Sequence, residues 1–373
     1  VNAAEGLKER IEAWARERGA SLRVARAVPD ERTRARMSAS FARGDLATWG
    51  YGAAYARAAT DPERILPGAR SVLSVSVPYA TKGAGRVPRG QGRVSNYAWS
   101  NDYHHAMQRL LRELAAEIDA CAGAAVTRVA CDTAPLAERA YAERAGIGWV
   151  GKHTNLIDEA NGSFVFLGEI VTSLELEPDA PSKKGCGTCT RCVDVCPTGA
   201  LRGDYTIDAT RCISDLTQRT DAIPRALRPL IGEWIWGCDL CQDICPPNGR
   251  AAPRGGDAFA PRDPWSEAPA LAELLRMRAG RFRRTLAQTA MGWRGPAILR
   301  RNAAVALGNG LDRASVPVLS EALAADPHPM VRGHAAWALG RIGSPGAFAA
   351  LRASLDDETE PSVREEITCA LAG

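Results

Sequence analysis

Two unequal cysteine runs constrain this chain more than any other feature: Cys186-x-x-Cys189-x-x-Cys192-x-x-x-Cys196-Pro197 and Cys238-x-x-Cys241-x-x-x-Cys245-Pro246, with Cys212 alone between them. Thiolates at three-residue spacing wrap one corner of a cubane cluster, while a cysteine before proline ligates the other cluster of a two-cluster ferredoxin. The second run lacks the first cysteine of its triplet, and Cys212 is the substitute. The spacing therefore assigns Cys186, Cys189, Cys192 and Cys245 to one 4Fe–4S cluster, and Cys196, Cys212, Cys238 and Cys241 to a second. Structural zinc closes a single tetrahedron from paired C-x-x-C units. That would leave the third cysteine of the first triplet and both Cys-Pro positions unexplained. Disulfides need an oxidising compartment, whereas the chain opens VNAAEGLKER, a polar helical start without the apolar core of a signal peptide. A cytoplasmic, reducing location is expected. Cys121, Cys131 and Cys369 sit among apolar or small neighbours, as buried thiols do.

At 373 residues the chain can hold two or three domains. No stretch approaches the roughly 20 apolar residues of a membrane span, so no membrane partner is expected. The net charge of +4 is mild but unevenly spread. Between Glu273 and Asp312 there is no acidic residue, while Arg276, Arg278, Arg281, Arg283, Arg284, Arg294, Arg300 and Arg301 all occur. Such a block is either a solvated face or a polyanion footprint. The missing acidic counterweight favours RNA, with Arg281, Arg283, Arg284, Arg300 and Arg301 as contacts. Phe282 and Trp293, interleaved among them, are read as core.

Helical and strand patterns alternate through the first part of the chain, arguing for an α/β domain over 1–180. Ser71 to Pro78 reads as a strand ending at proline, 101–120 as a helix, Val126 to Ala130 as a short strand and Phe164 to Val171 as a buried one. Asp132-Thr133-Ala134-Pro135 places proline in the first turn of a helix running to about Arg144. A ferredoxin-like two-cluster domain follows over 181–250. A linker over 251–280 carries Pro253, Gly255, Gly256, Pro261 and Pro264. The stretch Arg300 to Gly308 recurs 32 residues later as Arg332 to Gly340 and again as Arg364 to Ala372. That period predicts all-α HEAT-like repeats over 281–373, which bury a core by stacking. On this reading Cys369 is a core position.

Some motifs resemble chemistry they do not carry. Gly146-Ile147-Gly148-Trp149-Val150-Gly151 spells a dinucleotide fingerprint, but a helix precedes it and an extended segment follows, the reverse of what that fingerprint needs. The overlapping near P-loop has His153 where a magnesium-binding hydroxyl belongs. Asp102-x-His104 opens like a cobalamin-binding D-x-H-x-x-G motif, yet Met107 replaces the glycine. Asp102, His104 and His105 are read as the solvated start of a helix, with placement near a cofactor the alternative.

Taken together, the α/β domain, paired clusters, arginine block and repeat tail resemble epoxyqueuosine reductases, which complete the queuosine base of certain transfer RNAs. The resemblance rests on Asp132 to Arg139, Ala145 to Ile157, Phe166 to Ile170 and Trp236 to Pro246. It implies a cobalamin on the first domain, electrons delivered through the two clusters from an external one-electron reductant, a monomer, and an epoxycyclopentane on the tRNA wobble base as substrate. By motif position it implies cobalamin contacts at Ser95, Tyr97, His153, Leu156, Leu167 and Ser214, with Lys152 and Asn155 nearby, and Asp132 as proton donor at the cofactor. Ser95 to Trp99 departs from a basic version of its segment, and Ser214-Asp215 stands where the family has serine-tyrosine.

Deoxygenating an epoxide to an alkene takes two electrons and two protons, and its oxygen leaves poorly unless protonated. A donor must lie close to that oxygen. Asp132 follows a predicted strand, at the carboxyl end where open α/β folds bind ligands. Donating at neutral pH requires that it hold a proton, which exclusion of water by cobalamin, Val126, Val129 and Ala130 would favour. From the residues alone Asp132 reads more readily as a helix N-cap than as a catalytic acid, and the resemblance reverses that preference. Two other readings fit the cysteines: a cobalamin-dependent reductive dehalogenase, which usually carries an export signal and lacks the repeat tail, and an electron-transfer ferredoxin with a helical docking scaffold, which leaves the first domain unexplained.

Overall fold

A computed structural model describes residues 3–81, 87–124, 126–251, 256–262 and 264–373. Two compact units emerge, neither continuous in sequence: Val1–Thr81, Asp102–Thr210 and Leu240–Ala260 form the first, Lys82–Asn101, Arg211–Asp239 and Pro261–Gly373 the second. The expected chain-order division is thus crossed, because residues 211–239 pack with the helical repeats. No helix among the described residues is long and apolar enough to cross a membrane.

The first unit is built on four strands, β1 (Ser21–Arg26), β2 (Ser71–Pro78), β3 (Thr127–Ala130) and β4 (Val165–Thr172). Their order is β1-β2-β4-β3 and every pairing is antiparallel. The sequence pattern located β2, β3 and β4 to within a residue or so, but it missed β1 and did not give strand direction. Antiparallel pairing of β3 with β4 sets Ala130 opposite Glu169, so the end of one strand lies beside the middle of the other. All eight residues of β2 are buried, which means both faces of the sheet are covered. Helix α1 (Ala3–Glu17) packs on β1 and on α2 (Tyr103–Ala122), whose stripe Met107, Leu111, Leu114 and Ile118 faces inward at helical spacing. Gly168 admits that stripe: a Cβ there would lie 2.5 Å from Leu111 Cδ1. Tyr141 on α3 (Glu138–Ala145) shares a buried cluster with Ala27, Val72, Leu136 and Val171.

Helix α3 begins later than predicted. Residues 131–137 instead make consecutive tight turns, with Thr133 N–H donating to Cys131 O, Leu136 N–H to Ala134 O and Glu138 N–H to Leu136 O. Pro135 disfavours the helical region for Ala134, so the helix cannot extend back through it. Asp132 is consequently no N-cap; Ala137 takes that place.

In the second unit α4 (Ile213–Gln218) is followed by stacked helices α5 (Pro296–Asn309), α6 (Val316–Ala325), α7 (Pro329–Ile342), α8 (Pro345–Asp357) and α9 (Pro361–Ala372). The 32-residue period is real: α5, α7 and α9 each open with proline in the first turn. The repeated Leu-Gly has a packing reason. A Cβ on Gly308 would sit 2.8 Å from Ala338, and one on Gly340 would sit 2.7 Å from Ala370, so glycine sets how closely successive repeats stack. Cys369, expected in the core, is exposed: α9 turns Val363, Ile367 and Ala370 inward, and among the described residues no further repeat covers its other side. Cys121 is exposed too, its Sγ 2.9 Å from Arg10 Nη2, whereas Cys131 is buried as expected. The predicted linker is only partly one. Leu271, Leu274, Leu275 and Met277 are buried, and Ala270 bridges to Gln91; Pro253 and Gly255 lie outside the described residues.

Candidate active site

Asp132 emerges from the carboxyl end of β3 with φ at +49°, the left-handed region that non-glycine residues rarely occupy. Two contacts hold it there. Its backbone N–H donates to Glu138 Oε1 at 2.5 Å. Its Oδ2 lies 2.9 Å from His104 Nε2, and His104 Nδ1 lies 2.6 Å from Asp102 Oδ1. Asp102 caps α2 by accepting from His104 N–H, so the helix-start reading was right. Tyr103 fixes the arrangement by stacking on both Phe166 and His104, with ring centroids 4.1 Å apart in each case.

The wall of Val126, Val129 and Ala130 does not exclude water from Asp132, whose side chain is 55% exposed. The structure supplies a different means of holding a proton. Hydrogen bonds that the ring donates to Asp102 and Asp132 raise the His104 pKa to about 9, leaving an imidazolium at neutral pH. Replacing Asp102 by Asn should bring that pKa down towards the ordinary value of about 6.5. Titration of the ring by NMR reads the shift directly. A pKa left at about 9 would mean that Asp102 does not hold the proton.

Next to this relay stand two further acids that sequence reading passed over. Glu169 is fully buried on β4, and neither carboxyl oxygen has a hydrogen-bond partner among the described residues. Burial, with Glu138 facing it, raises its pKa well above the usual range and keeps it neutral. Glu138 is pushed up to about 7, mainly by burial, against the opposing bond from Asp132 N–H.

The glycine string between α3 and Leu156–Asp158 turns out to be mechanical. Gly146 ends α3 at φ +83°, and a Cβ on Gly148 would collide with Ile157 O in the hairpin Gly148–Val150/Leu156–Asp158. Gly151 leaves room for the His153 ring, 3.0 Å from its would-be Cβ. His153 is 2% exposed, and its Nδ1 accepts from Asn155 N–H at 3.2 Å. Burial lowers its pKa to about 4, so the ring is neutral and its proton sits on Nε2. That buried donor has no partner among the described residues. Leu156 and Leu167 meet in one apolar cluster with Ala142 and Ile147. Lys152 turns instead toward the cluster loop, Nζ donating to Gly187 O at 2.9 Å and Cys189 O at 3.0 Å. Ser95, Tyr97 and Ser214 belong to the second unit. Ser95 Oγ donates to Asp239 Oδ1 at 2.5 Å, Gly237 is crowded by Ser95 and Tyr97, and Ser214 Oγ accepts from Gln218 on the same helix.

Cys186, Cys189, Cys192 and Cys245 face one another in the first unit. Burial and the other three thiols push Cys245 up to about 11. Cys196 and Cys241 lie in the first unit, Cys212 and Cys238 in the second.

The arginine block divides. Arg283 and Arg284 are exposed, and Arg281 is exposed in an ion pair with Glu273 at 2.7 Å. Arg300 and Arg301 are not surface cations. Arg300 pairs with Asp326 at 2.7 Å and donates to Met277 O, and Arg332 repeats the arrangement with Glu358. Arg301, wholly buried, donates to Leu216 O, Arg219 O, Asp221 O and the Asn302 side chain. Phe282 is core as read, but Trp293 is 53% exposed with the Arg294 guanidinium 3.7 Å from its ring centroid.

A thiol quartet, an acid–imidazole relay at one end of a sheet and a stack of helical repeats define an iron–sulfur oxidoreductase with an appended scaffold. Family profiles agree part by part: a 4Fe-4S double cluster binding domain over residues 185–248, which encloses all eight assigned cysteines, HEAT repeats over 294–372, and epoxyqueuosine reductase QueG over 60–133. The epoxyqueuosine reductase of Bacillus cereus is 36% identical over 316 residues, covering 84% of this chain and 83% of its own. A crystal structure of epoxyqueuosine reductase with an epoxyqueuosine-modified tRNA-Tyr stem loop superposes with a TM-score of 0.92 at 32% identity over 98% of both chains. So does the Bacillus subtilis enzyme with its aspartate-bearing catalytic loop swung out of the active site, at a TM-score of 0.91 and 31% identity over 98% of both chains. The chain belongs to the epoxyqueuosine reductase family, which sets aside the dehalogenase and ferredoxin-scaffold readings.

Proposed function

We propose that this protein reduces the epoxide of epoxyqueuosine in transfer RNA to the alkene of queuosine, with Asp132 handing a proton to the departing oxygen. The observation that carries the mechanism is the chain Asp102, His104, Asp132 at the end of β3. His104 holds the proton at rest, Asp102 stabilises the imidazolium from the far nitrogen, and Asp132 passes the proton on to the substrate. Two electrons and two protons together convert the epoxide to an alkene and water.

Four thiols in each assigned set match the donors of a 4Fe–4S cluster, and His153 with Leu156 and Leu167 fits a cobalamin. The Nε2–H of His153 would suit an amide or carbonyl acceptor of that group, and Leu156 and Leu167 would offer it apolar surface. Asn155 keeps the His153 tautomer in place. When bound, the clusters supply single electrons and cobalamin couples them to a carbon centre. Lys152 then acts from the cluster side, tying the cofactor turn to the loop that carries Cys189. Ser95, Tyr97 and Ser214 complete the proposed contacts. Anaerobically purified protein should hold about eight iron atoms per chain and bind cobalamin. Four irons, or no cobalamin affinity, would contradict these assignments.

The RNA face is proposed to be Arg281, Arg283 and Arg284, joined by Trp293 and Arg294, since guanidinium groups and exposed rings take phosphates and unstacked bases. The Arg281–Glu273 pair is exposed and so cheaply exchanged for a phosphate. Replacing Arg283 and Arg284 together by Ser should weaken binding of a stem-loop RNA and lower its salt-dependence slope by about one for each phosphate no longer neutralised. Filter binding at several salt concentrations measures both, and an unchanged slope would place the footprint elsewhere. The working form is taken to be a cytoplasmic monomer supplied by an external one-electron reductant.

A further inference from the structure

Resting on Asp132 as the proton donor, we infer that Glu138 is its positioning residue: its carboxylate latches the Asp132 loop in the active site by accepting the Asp132 backbone N–H. The loop needs a latch. Asp132 sits at a positive φ inside a three-residue turn closed by Thr133 N–H to Cys131 O at 2.5 Å, a strained backbone that persists only where its surroundings enforce it. His104 grips the side chain, and among the described residues only Glu138 grips the backbone amide. Glu138 is the first residue of α3, where a carboxylate is already favoured by the free amides of the helix. Its bond nonetheless runs backwards, out of the helix, to the loop. A relative has been solved with its aspartate-bearing catalytic loop swung out of the active site, so two positions of such a loop exist for a latch to choose between.

The charge of the latch is set by what faces it. Asp132 and His104 approach from the loop and α2, Arg139 lies on its own helix, and Glu169, Cys131 and Tyr55 face it from β4, the end of β3 and the helix Ala53–Ala59. Burial and the Asp132 carboxylate outweigh the bond from Asp132 N–H, Arg139 and His104, and the Glu138 pKa is raised to about 7. Above that pH the bond is charge-assisted, and below it the protonated acid is a poorer acceptor. His104 gives up its proton only above about 9. Turnover should therefore rise with pH through about 7 and fall beyond about 9.

Hydrogen exchange of the holoprotein, followed by mass spectrometry over residues 131–137, tests the latch without reference to turnover. Glu138→Ala should speed exchange in this segment about tenfold or more, leave the peptides of β2 and α2 unchanged, and lower kcat while KM for the RNA holds. Glu138→Gln keeps an acceptor oxygen but no titrating proton. It should restore most of the protection and the rate, and flatten the limb of the pH profile near 7. Unchanged exchange in Glu138→Ala overturns the latch. A Gln variant as inactive as Ala, with its loop protected, overturns it in favour of Glu138 as a proton donor. Loss of protection in a protein whose parent never reduces the modified base leaves the latch standing and removes the proposed function instead.

Discussion

Asp132→Asn is expected to bind cobalamin and stem-loop RNA as the parent does and to turn over about a hundredfold to ten-thousandfold more slowly. The substitution is unusually clean. Asparagine tolerates the left-handed conformation that Asp132 adopts at φ +49° better than other residues would. Its side-chain oxygen can still accept from His104 Nε2, and its backbone N–H still reaches Glu138. What the amide cannot do is take a proton from the imidazolium and deliver it to oxygen. Single-turnover rates with pre-reduced enzyme separate this chemical defect from electron supply. Near-normal rates would remove the aspartate from the mechanism.

Arg301→Ala should behave in the opposite way, costing about 3–5 kcal/mol of stability and lowering the unfolding midpoint by roughly 5–10 °C. Its guanidinium donates to three backbone carbonyls between Leu216 and Asp221, where α4 gives way to the following loop. Asn302 beside it donates to Thr217 O and Ile235 O, both at 2.7 Å. These two neighbours on α5 stitch residues 211–239 to the repeats. Truncation leaves several buried carbonyls without donors and opens a cavity the size of an arginine. Burial has already pushed the Arg301 pKa down to about 9. Thermal unfolding followed by circular dichroism measures the loss. A variant of parental stability that instead failed to bind RNA would restore Arg301 to the polyanion footprint.

That contrast shows where the sequence was legible. Arg300 and Arg301 lie in a charge block free of acids, which reads as a surface. Yet Arg300 also recurs as Arg332 and Arg364 at the repeat period, and residues fixed by a period belong to packing. The acidic partner of Arg300 is Asp326, 26 residues on and outside the acid-free block. Cysteine spacing gave the quartet of the first unit because ligand geometry is local and chain-encoded. The positions of β2, β3 and β4 were readable from their apolar patterns and that of β1 was not; antiparallel pairing was not readable either, since direction is set by long-range register such as Ser71 opposite Thr172. His104 carried a signal, its Asp-x-His spacing, but its meaning depended on Asp132, which pairs with it from another element. Glu169 carried none: a lone acid in a hydrophobic strand is visible only once the sheet closes over it.

On the proposed function, the Asp102, His104, Asp132 relay serves the reduction of an epoxide on RNA. It is tested most directly by incubating the reduced holoprotein with a tRNA anticodon stem loop bearing epoxyqueuosine, followed by mass spectrometry of the released nucleosides. Conversion to queuosine, with loss of one oxygen, is expected in the parent and almost none in Asp132→Asn. A parent protein that carries both clusters and cobalamin and binds the stem loop, yet leaves the epoxide intact, would contradict it.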